Sequence, residues 1–216
     1  METKKFIVTI NREFGSGGRE IGFKLGNLLN VKVYDKAILE SIAEKYNLTN
    51  QQMEEIKSKK ITWWDEICDL YNRIYAFPGE FVVGHDETLT ATSQNLYEAE
   101  AKLLRELSEQ ESCVIIGRTG FHIFKDDPSA FKIMIIANES SRVQRIMERF
   151  NLNEEEAKER MVKADTAREN FTKTFSERSR YDARNYDLVL NVTGYTTDQI
   201  ASFIAECVQR KFKLLS

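Results

Sequence analysis

The most constraining feature of the chain lies at residues 6–22, where an apolar run, a glycine-rich turn and an amphipathic segment follow one another. The β-branched run at residues 7–10 is typical of a strand that is buried on both faces. The turn at residues 15–18 reads Gly-Ser-Gly-Gly. Small residues let backbone N–H groups converge on an anion, and the first turn of a helix adds its partial positive charge. The segment therefore predicts a phosphate-binding turn, although a tight strand-to-helix connection that binds nothing can have a similar sequence.

The turn departs from the P-loop pattern G-x-x-x-x-G-K-[ST] in an informative way. With Gly17 as the second glycine, Arg12 takes the place of the first glycine, Gly18 that of the lysine and Arg19 that of the hydroxyl residue. The backbone cradle is kept, whereas the lysine and the magnesium-binding hydroxyl are missing. Because a guanidinium can also grip phosphate, Arg12 or Arg19 is predicted to replace the lysine.

Length and charge narrow the class of protein. At 216 residues the chain is one domain, with or without an insertion, and is long enough for a sizeable core. A net charge of −3, from 31 basic and 34 acidic residues, argues against nucleic acid as a partner. The sequence has neither a long apolar run nor a signal peptide, so we expect no membrane span and a cytoplasmic location. Three widely spaced cysteines indicate thiols rather than disulfides or a zinc site, namely Cys68, Cys113 and Cys207.

Short apolar runs alternate with amphipathic segments along the chain. This alternation predicts a parallel sheet with helices on both faces, and the carboxyl ends of its strands meet at one edge, where ligands bind. The five predicted strands are residues 7–10, 31–34, 113–116, 131–136 and 187–190. Residues 49–95 contain both tryptophans and no clear strand, so we predict a helical insertion there. Asn153-x-x-Glu156 and Thr196-x-x-Gln199 predict capping boxes at two helix starts.

Polar residues directly follow several predicted strands. Arg118 comes after a buried strand and a glycine, and is predicted to contact a phosphate at the sheet edge. Asp35 ends another strand, where it can bind magnesium through water or cap the next helix. The two histidines, His85 and His122, are isolated, so no metal-ligating set is predicted.

Residues 142–184 are rich in arginine. Arg160, Lys163, Asp165 and Arg168 lie on one predicted helix, and the spacing of three lets Asp165 orient the Arg168 guanidinium. A mobile lid that carries arginines over phosphates would have this composition. The alternative is a solvated, charged helix with intrahelical ion pairs.

These motifs together resemble the cytidylate kinase-like proteins, a branch of the P-loop nucleoside monophosphate kinases, over nearly the full length. The matching segments are residues 12–22, 34–35, 114–118, 165–168 and 186–191. The resemblance implies a three-layer α/β P-loop NTPase core with a five-stranded parallel sheet, in a single domain spanning residues 1–216. The implied core comprises residues 1–36, 96–150 and 186–216, with a helical NMP-binding insertion at about 37–95 and an arginine-bearing lid at about 151–185.

The resemblance also implies ATP-dependent phosphoryl transfer to CMP, dCMP or a related small acceptor, with Mg²⁺ as the metal. We expect catalytic roles for Arg12, Arg19, Asp165 and Arg168, and donor binding by Gly15, Ser16, Gly17, Gly18 and Arg19. We expect the acceptor to be bound by Asp35, Arg118, Arg160 and Lys163. The chain departs from true cytidylate kinases at Thr119, where they have Asp, and near Ser41, where their phosphate-binding arginine has no counterpart.

Three functional hypotheses follow. The first is a nucleotide-dependent kinase whose partners are a nucleoside triphosphate and a small acceptor, a nucleotide in the simplest case. The second is a regulatory module that binds nucleotide and has lost the chemistry, which the missing lysine and hydroxyl favour. The third is a small-molecule kinase with a non-nucleotide acceptor.

Overall fold

The computed structural model describes residues 5–35 and 94–214. Five strands form one parallel sheet with the spatial order β2-β3-β1-β4-β5. They are β1 (Ile7–Arg12), β2 (Lys32–Tyr34), β3 (Cys113–Ile116), β4 (Ala130–Ile136) and β5 (Leu188–Asn191). The predicted five-stranded parallel sheet is therefore confirmed.

The described ranges contain six α-helices. They are α1 (Gly18–Leu29), α2 (Gln94–Gln110), α3 (Gly120–Ile123), α4 (Glu139–Phe150), α5 (Glu154–Ser176) and α6 (Thr197–Phe212), and a short 3₁₀ turn spans Ala183–Asn185. Both predicted capping boxes are present, at Asn153 before α5 and at Thr196 before α6. None of the helices within residues 5–35 and 94–214 has the length and apolar character that a bilayer crossing needs.

Helices cover both faces of the sheet. On one face, Ile21 and Leu25 of α1 pack with Ile204 and Val208 of α6 over Val8 and the other inward residues of the strands. Burying each such aliphatic side chain stabilises the fold by about 1.5–3 kcal/mol. On the other face, Gly120 of α3 lies against Thr9, and Arg105 of α2 donates a hydrogen bond to the carbonyl oxygen of Ile123. The result is the predicted three-layer α/β arrangement.

The predicted domain parts differ in how far the structure describes them. The helical insertion at about 37–95 lies outside the described residues, except for its last two, which begin α2. Trp63, Trp64, Cys68 and His85 fall in the same stretch. The predicted lid at about 151–185 corresponds to α5 and the 3₁₀ turn that follows it.

Candidate functional site

The glycine-rich turn joins β1 to α1 and depends on glycine at two positions. Gly15 and Gly17 both have φ of +80°, a conformation that residues with a Cβ rarely adopt. The buried Ser16 hydroxyl donates to the carbonyl oxygen of Glu13 at 2.9 Å and accepts the N–H of Gly18 at 3.3 Å. Ser16 therefore holds the turn together from inside.

Several amides of the turn remain available to a ligand. The N–H groups of Gly15, Gly17, Arg19 and Glu20 donate no hydrogen bond to any residue in the described ranges. Unpaired N–H groups at the start of a helix are the usual elements of an anion site. These amides lie in and directly after the predicted cradle at residues 15–18, whose role in phosphate binding stays a prediction.

Arg12 occupies the space that belongs to the side chain at position 18. A Cβ added to Gly18 would lie 2.5 Å from the Cβ of Arg12 and 3.0 Å from its Cγ. The Arg12 guanidinium extends over Gly117, at the end of β3, so closely that a Cβ there would overlap it. A lysine in the P-loop position would collide with Arg12, which explains why residue 18 is glycine.

Arg19 points away from the turn and meets Asp35, which follows β2. Its Nε donates to Asp35 Oδ2 at 2.8 Å, its Nη2 lies 2.7 Å from the same oxygen, and its guanidinium stacks on Phe23 at 4.9 Å. Two residues predicted from the sequence are thus brought together as an ion pair between α1 and the sheet.

Asp165 of α5 is the centre of a buried charge cluster. Its Oδ1 accepts the backbone N–H of Phe14 at 2.9 Å, and its Oδ2 accepts Arg142 Nη1 at 2.6 Å. Arg180 and Arg168 approach the same carboxylate at 3.5 and 3.8 Å. The predicted Asp165–Arg168 pair is present, and the carboxylate also binds the glycine-rich turn itself.

More arginines contact the turn than the sequence predicted. Arg168 Nη1 donates to the carbonyl oxygen of Arg12 at 3.3 Å, and Arg180 Nη2 donates to the same oxygen. Arg145 Nη1 donates to the carbonyl oxygen of Gly15 at 2.7 Å. Arg142, Arg145 and Arg180 were not predicted as site residues. Their only sequence signal is the arginine-rich composition of residues 142–184.

Two predicted acceptor residues, Arg160 and Lys163, lie before Asp165 on α5. The Arg160 guanidinium stacks on Phe150 at 4.0 Å, and Phe150 stacks in turn on Phe14 of the turn at 6.0 Å between ring centroids. Lys163 is exposed on the same helix. Arg160 is thus linked to the turn through two aromatic rings.

Arg118, another predicted acceptor residue, is buried after the end of β3. Its Nη2 pairs with Glu100 of α2, and its guanidinium stacks on Phe171 of α5 at 5.0 Å. Thr119 Oγ1 lies 2.9 Å from the hydroxyl oxygen of Tyr97, which stacks on Phe175 at 4.3 Å. The end of β3 therefore joins α2 and α5 through one ion pair and several aromatic contacts.

A hydrogen-bonded group fixes the loop after β5 beside the turn. Thr197 Oγ1 donates to Glu20 Oε1 at 2.6 Å, and Lys24 Nζ donates to Asp198 Oδ2 at 2.6 Å. The Thr197 hydroxyl lowers the pKa of Glu20 below its ordinary value, against the opposing effect of burial. These contacts join the first turns of α1 and α6.

The residues around the turn do not form a protein-held site for Mg²⁺. No group of three His, Cys, Asp or Glu side chains suited to a metal occurs in residues 5–35 and 94–214. Arg19 takes the hydroxyl position, the Ser16 hydroxyl is used inside the turn, and Asp35 is paired with Arg19. Mg²⁺ is commonly held largely by substrate phosphates and water.

The comparisons with solved structures identify the fold. An uncharacterized protein from Eubacterium ventriosum has a TM-score of 0.70 at 22% identity, over 95% of this chain and 99% of that chain. A gluconokinase from Sinorhizobium meliloti has a TM-score of 0.52 at 11% identity, over 99% and 97% of the two chains. A shikimate kinase from Acinetobacter baumannii has a TM-score of 0.50 at 13% identity, over 96% and 95%. The fold is that of the P-loop kinases.

The sequence comparisons match this chain to a protein over part of its length and to a family model. Uronate isomerase of Corynebacterium glutamicum is 31% identical over 101 residues, which are 47% of this chain and 20% of that protein. The chain therefore spans about a fifth of the length of the curated relative it matches. The model of the cytidylate kinase-like family matches residues 7–194. With most of its residues covered by that match, the chain belongs to the cytidylate kinase-like family.

Proposed function

We propose that the protein is a phosphotransferase that takes the γ-phosphoryl group of a nucleoside triphosphate, with ATP as the donor. The observation that carries the proposal is a helix start with unused amides that is surrounded by arginines. Five guanidinium groups lie around the glycine-rich turn, those of Arg12, Arg142, Arg145, Arg168 and Arg180.

Amides at a helix start and nearby guanidinium groups together favour an anionic ligand. A triphosphate supplies several negative charges in a row, and the amides of Gly15, Gly17 and Arg19, which donate to no residue in the described ranges, lie at the same place. We call these five arginines and the turn the donor site.

Each part of the donor site has a role in this account. The turn amides bind the donor phosphates, and Arg12 takes the place of the P-loop lysine, as its position over Gly18 and Gly117 supports. Arg168 and Arg180 neutralise charge that develops on the transferred group. Asp165 positions both arginines. Arg19 acts through Asp35 by holding the start of α1 against β2.

Mg²⁺ would enter with the donor phosphates. When bound, it would supply positive charge that neutralises the donor phosphates. The predicted role of Asp35, contact with Mg²⁺ through water, stays a prediction.

The family and the fold support a kinase, and two classes of acceptor are compatible with them. The family resemblance favours CMP or dCMP. The names of two proteins with the same fold, gluconokinase and shikimate kinase, favour a small non-nucleotide acceptor. A cytoplasmic location stays a prediction.

The test combines binding with turnover. Thermal unfolding should show stabilisation that increases from AMP to ADP to ATP, because each added phosphate reaches further along the arginines. ATP and Mg²⁺ with a panel of acceptors should release ADP above the rate without acceptor. Absence of any ATP-induced stabilisation would contradict the proposal. Stabilisation by ATP without ADP release for any acceptor would favour the nucleotide-binding regulatory module.

A further inference from the structure

Arg180 lies between α5 and the 3₁₀ turn, outside any helix or strand, and is nevertheless only 2% exposed. Its guanidinium belongs to the donor site. Nη2 donates to the carbonyl oxygen of Arg12, and Nη1 lies 3.5 Å from Asp165 Oδ1. A side chain acts on a ligand only as accurately as the backbone behind it is placed. The contacts of the Arg180 backbone therefore bear on how the donor site works.

Two side chains hold the backbone of Arg180, one at each end of the residue. The Arg180 N–H donates to Glu169 Oε2 of α5 at 3.0 Å. The Arg180 carbonyl oxygen accepts the hydroxyl of Tyr186, which follows the 3₁₀ turn, at 2.7 Å. The peptide groups on both sides of Arg180 are thus fixed by side chains and not by the hydrogen bonds of a helix or a strand.

The Tyr186 hydroxyl is itself anchored to β1. It accepts Nδ2 of the buried Asn11 at 3.1 Å, and the Tyr186 ring lies against that of Phe121, with 5.3 Å between the centroids. Burial raises the pKa of Tyr186 above its ordinary value, so the hydroxyl keeps its proton at neutral pH. It therefore remains a donor to the Arg180 carbonyl oxygen.

These contacts close a ring between β1 and the loop after α5. Asn11 and Arg12 are neighbours at the end of β1. Asn11 is joined to the Arg180 backbone through Tyr186, whereas Arg12 accepts the Arg180 guanidinium. The backbone and the side chain of Arg180 are therefore both tied to the strand end from which the glycine-rich turn starts.

We infer, on the basis of the proposed function, that Tyr186 is a positioning residue for phosphoryl transfer, whose hydroxyl, held by Asn11, places the Arg180 guanidinium against the γ-phosphoryl group of the donor. The hydroxyl acts through Arg180 and needs no contact of its own with the donor. This gives a role to the first residue of the segment at 186–191, which the proposed function does not otherwise use.

A positioning role and a purely structural role have different consequences. A guanidinium displaced by about an ångström loses much of its hydrogen bond to a phosphate, because such bonds weaken steeply with distance and angle. Loss of the Tyr186 hydroxyl should therefore weaken the contact with the terminal phosphate and spare the phosphates that the turn amides hold. A hydroxyl that only stabilises the fold would affect the binding of all phosphates alike.

The experiment compares the affinities for ADP and for the β,γ-imido analogue of ATP, which differ by the terminal phosphoryl group. Calorimetric titration with Mg²⁺ gives both affinities for the wild type and for Tyr186→Phe. The ratio of analogue affinity to ADP affinity should fall about fivefold in the variant, as for the loss of one hydrogen bond, with ADP affinity almost unchanged. Tyr34→Phe is the matched control, because its hydroxyl donates to Glu111 before the start of β3, and it should keep both affinities.

A second background tests whether the hydroxyl acts through Arg180. Arg180→Lys keeps the positive charge beside Asp165 on a flexible stem that depends less on a fixed backbone. In this background Tyr186→Phe should change the ratio by less than about twofold, because the two residues act as a unit.

An unchanged ratio in Tyr186→Phe, an equal loss of both affinities, or the same fall of the ratio in the Arg180→Lys background would overturn the inference. So would a Tyr186→Phe variant without a cooperative thermal unfolding transition, since the hydroxyl would then serve the fold itself. A wild-type protein that binds neither nucleotide is a different result, because the donor site fails and the inference falls with it.

Discussion

Arg12 accounts for one departure of the turn from the P-loop pattern. It stands in the place of the first P-loop glycine, and its side chain fills the volume in front of residue 18. The glycine at position 18 is therefore a steric consequence of the arginine at position 12. A cation reaches the same region of the turn from the strand instead of the helix.

This exchange predicts a specific pattern of stability. Gly18→Lys alone should destabilise the protein by about 1–3 kcal/mol, because the new Cβ would lie 2.5 Å from that of Arg12. The double variant Arg12→Gly with Gly18→Lys restores the ordinary pattern and should recover most of the loss. Thermal unfolding of both variants measures the coupling. A double variant no more stable than Gly18→Lys would refute the steric account.

Arg168 is the residue whose removal should most reduce turnover. Arg168→Ala is expected to lower kcat by at least about a hundredfold, the cautious end of what a well-placed arginine contributes to phosphoryl transfer. Its Nη1 already donates to the carbonyl oxygen of Arg12, at the end of β1. Lys158→Ala on the same helix is the control, since Lys158 pairs with Glu154 at the surface. Unchanged turnover in Arg168→Ala would remove Arg168 from the mechanism.

Among the helices, α5 is attached to the glycine-rich turn in this structure. Asp165 accepts the N–H of Phe14 and pairs with Arg142 of α4, while Arg168 and Arg180 donate to the Arg12 carbonyl. The sequence predicted a mobile lid for this region, and that stays a prediction. In this structure the contacts attach α5 to the turn and to the end of β1.

Asp165→Asn tests this attachment. Because the variant leaves buried arginines without their carboxylate, we expect a loss of about 3–5 kcal/mol in the free energy of unfolding. ATP should then raise the unfolding temperature of the variant by more than it raises that of the wild type, since its phosphates replace the missing charge. Glu159→Gln, an exposed change on α5, should have little effect. Wild-type stability in Asp165→Asn would show that the cluster does not hold α5 in place.

The contact between α1 and α6 should depend on pH. The pKa of Glu20 is lowered in the folded state, chiefly by the hydrogen bond from Thr197. The ionised carboxylate therefore adds stability at pH values above 4.5, its ordinary pKa. This contribution is lost as the pH falls through the lower pKa of the folded state. Thr197→Val should destabilise the protein at neutral pH, by less than about 1 kcal/mol because Glu20 is largely exposed.

Urea unfolding at several pH values measures that difference. The gap between wild type and Thr197→Val should be widest above pH 4.5 and narrow below it. Thr197→Ser keeps the hydroxyl and should show no such narrowing. A gap that is constant with pH would mean that the hydroxyl does not act through Glu20.

For the molecule as a whole, the sheet and the glycine-rich turn could be predicted from the sequence, whereas the partners of the charged side chains could not be. Strand and helix positions follow from local periodicity, so residues 7–10 and the Gly-Ser-Gly-Gly turn could be recognised directly. The partners of Arg118 and Arg142 could not, because Glu100 and Asp165 meet them only once α2 and α5 have packed. The sequence of an arginine-rich segment does not show whether its side chains are solvated or buried.

The net charge of −3 gives no sign of the five arginines around the glycine-rich turn. The interaction of that site with a polyanion should weaken as salt is added, since screening shortens the reach of partly exposed charges.

Calorimetric titration of the wild-type protein and Arg12→Met with ATP tests the central claim most directly. The account predicts saturable binding to the wild type and at least about tenfold weaker binding to the variant, because a charged contact to phosphate is lost. A wild-type protein that gives neither binding heat nor a thermal shift at millimolar ATP would contradict the claim that the turn at Gly15–Gly18 holds a nucleoside triphosphate.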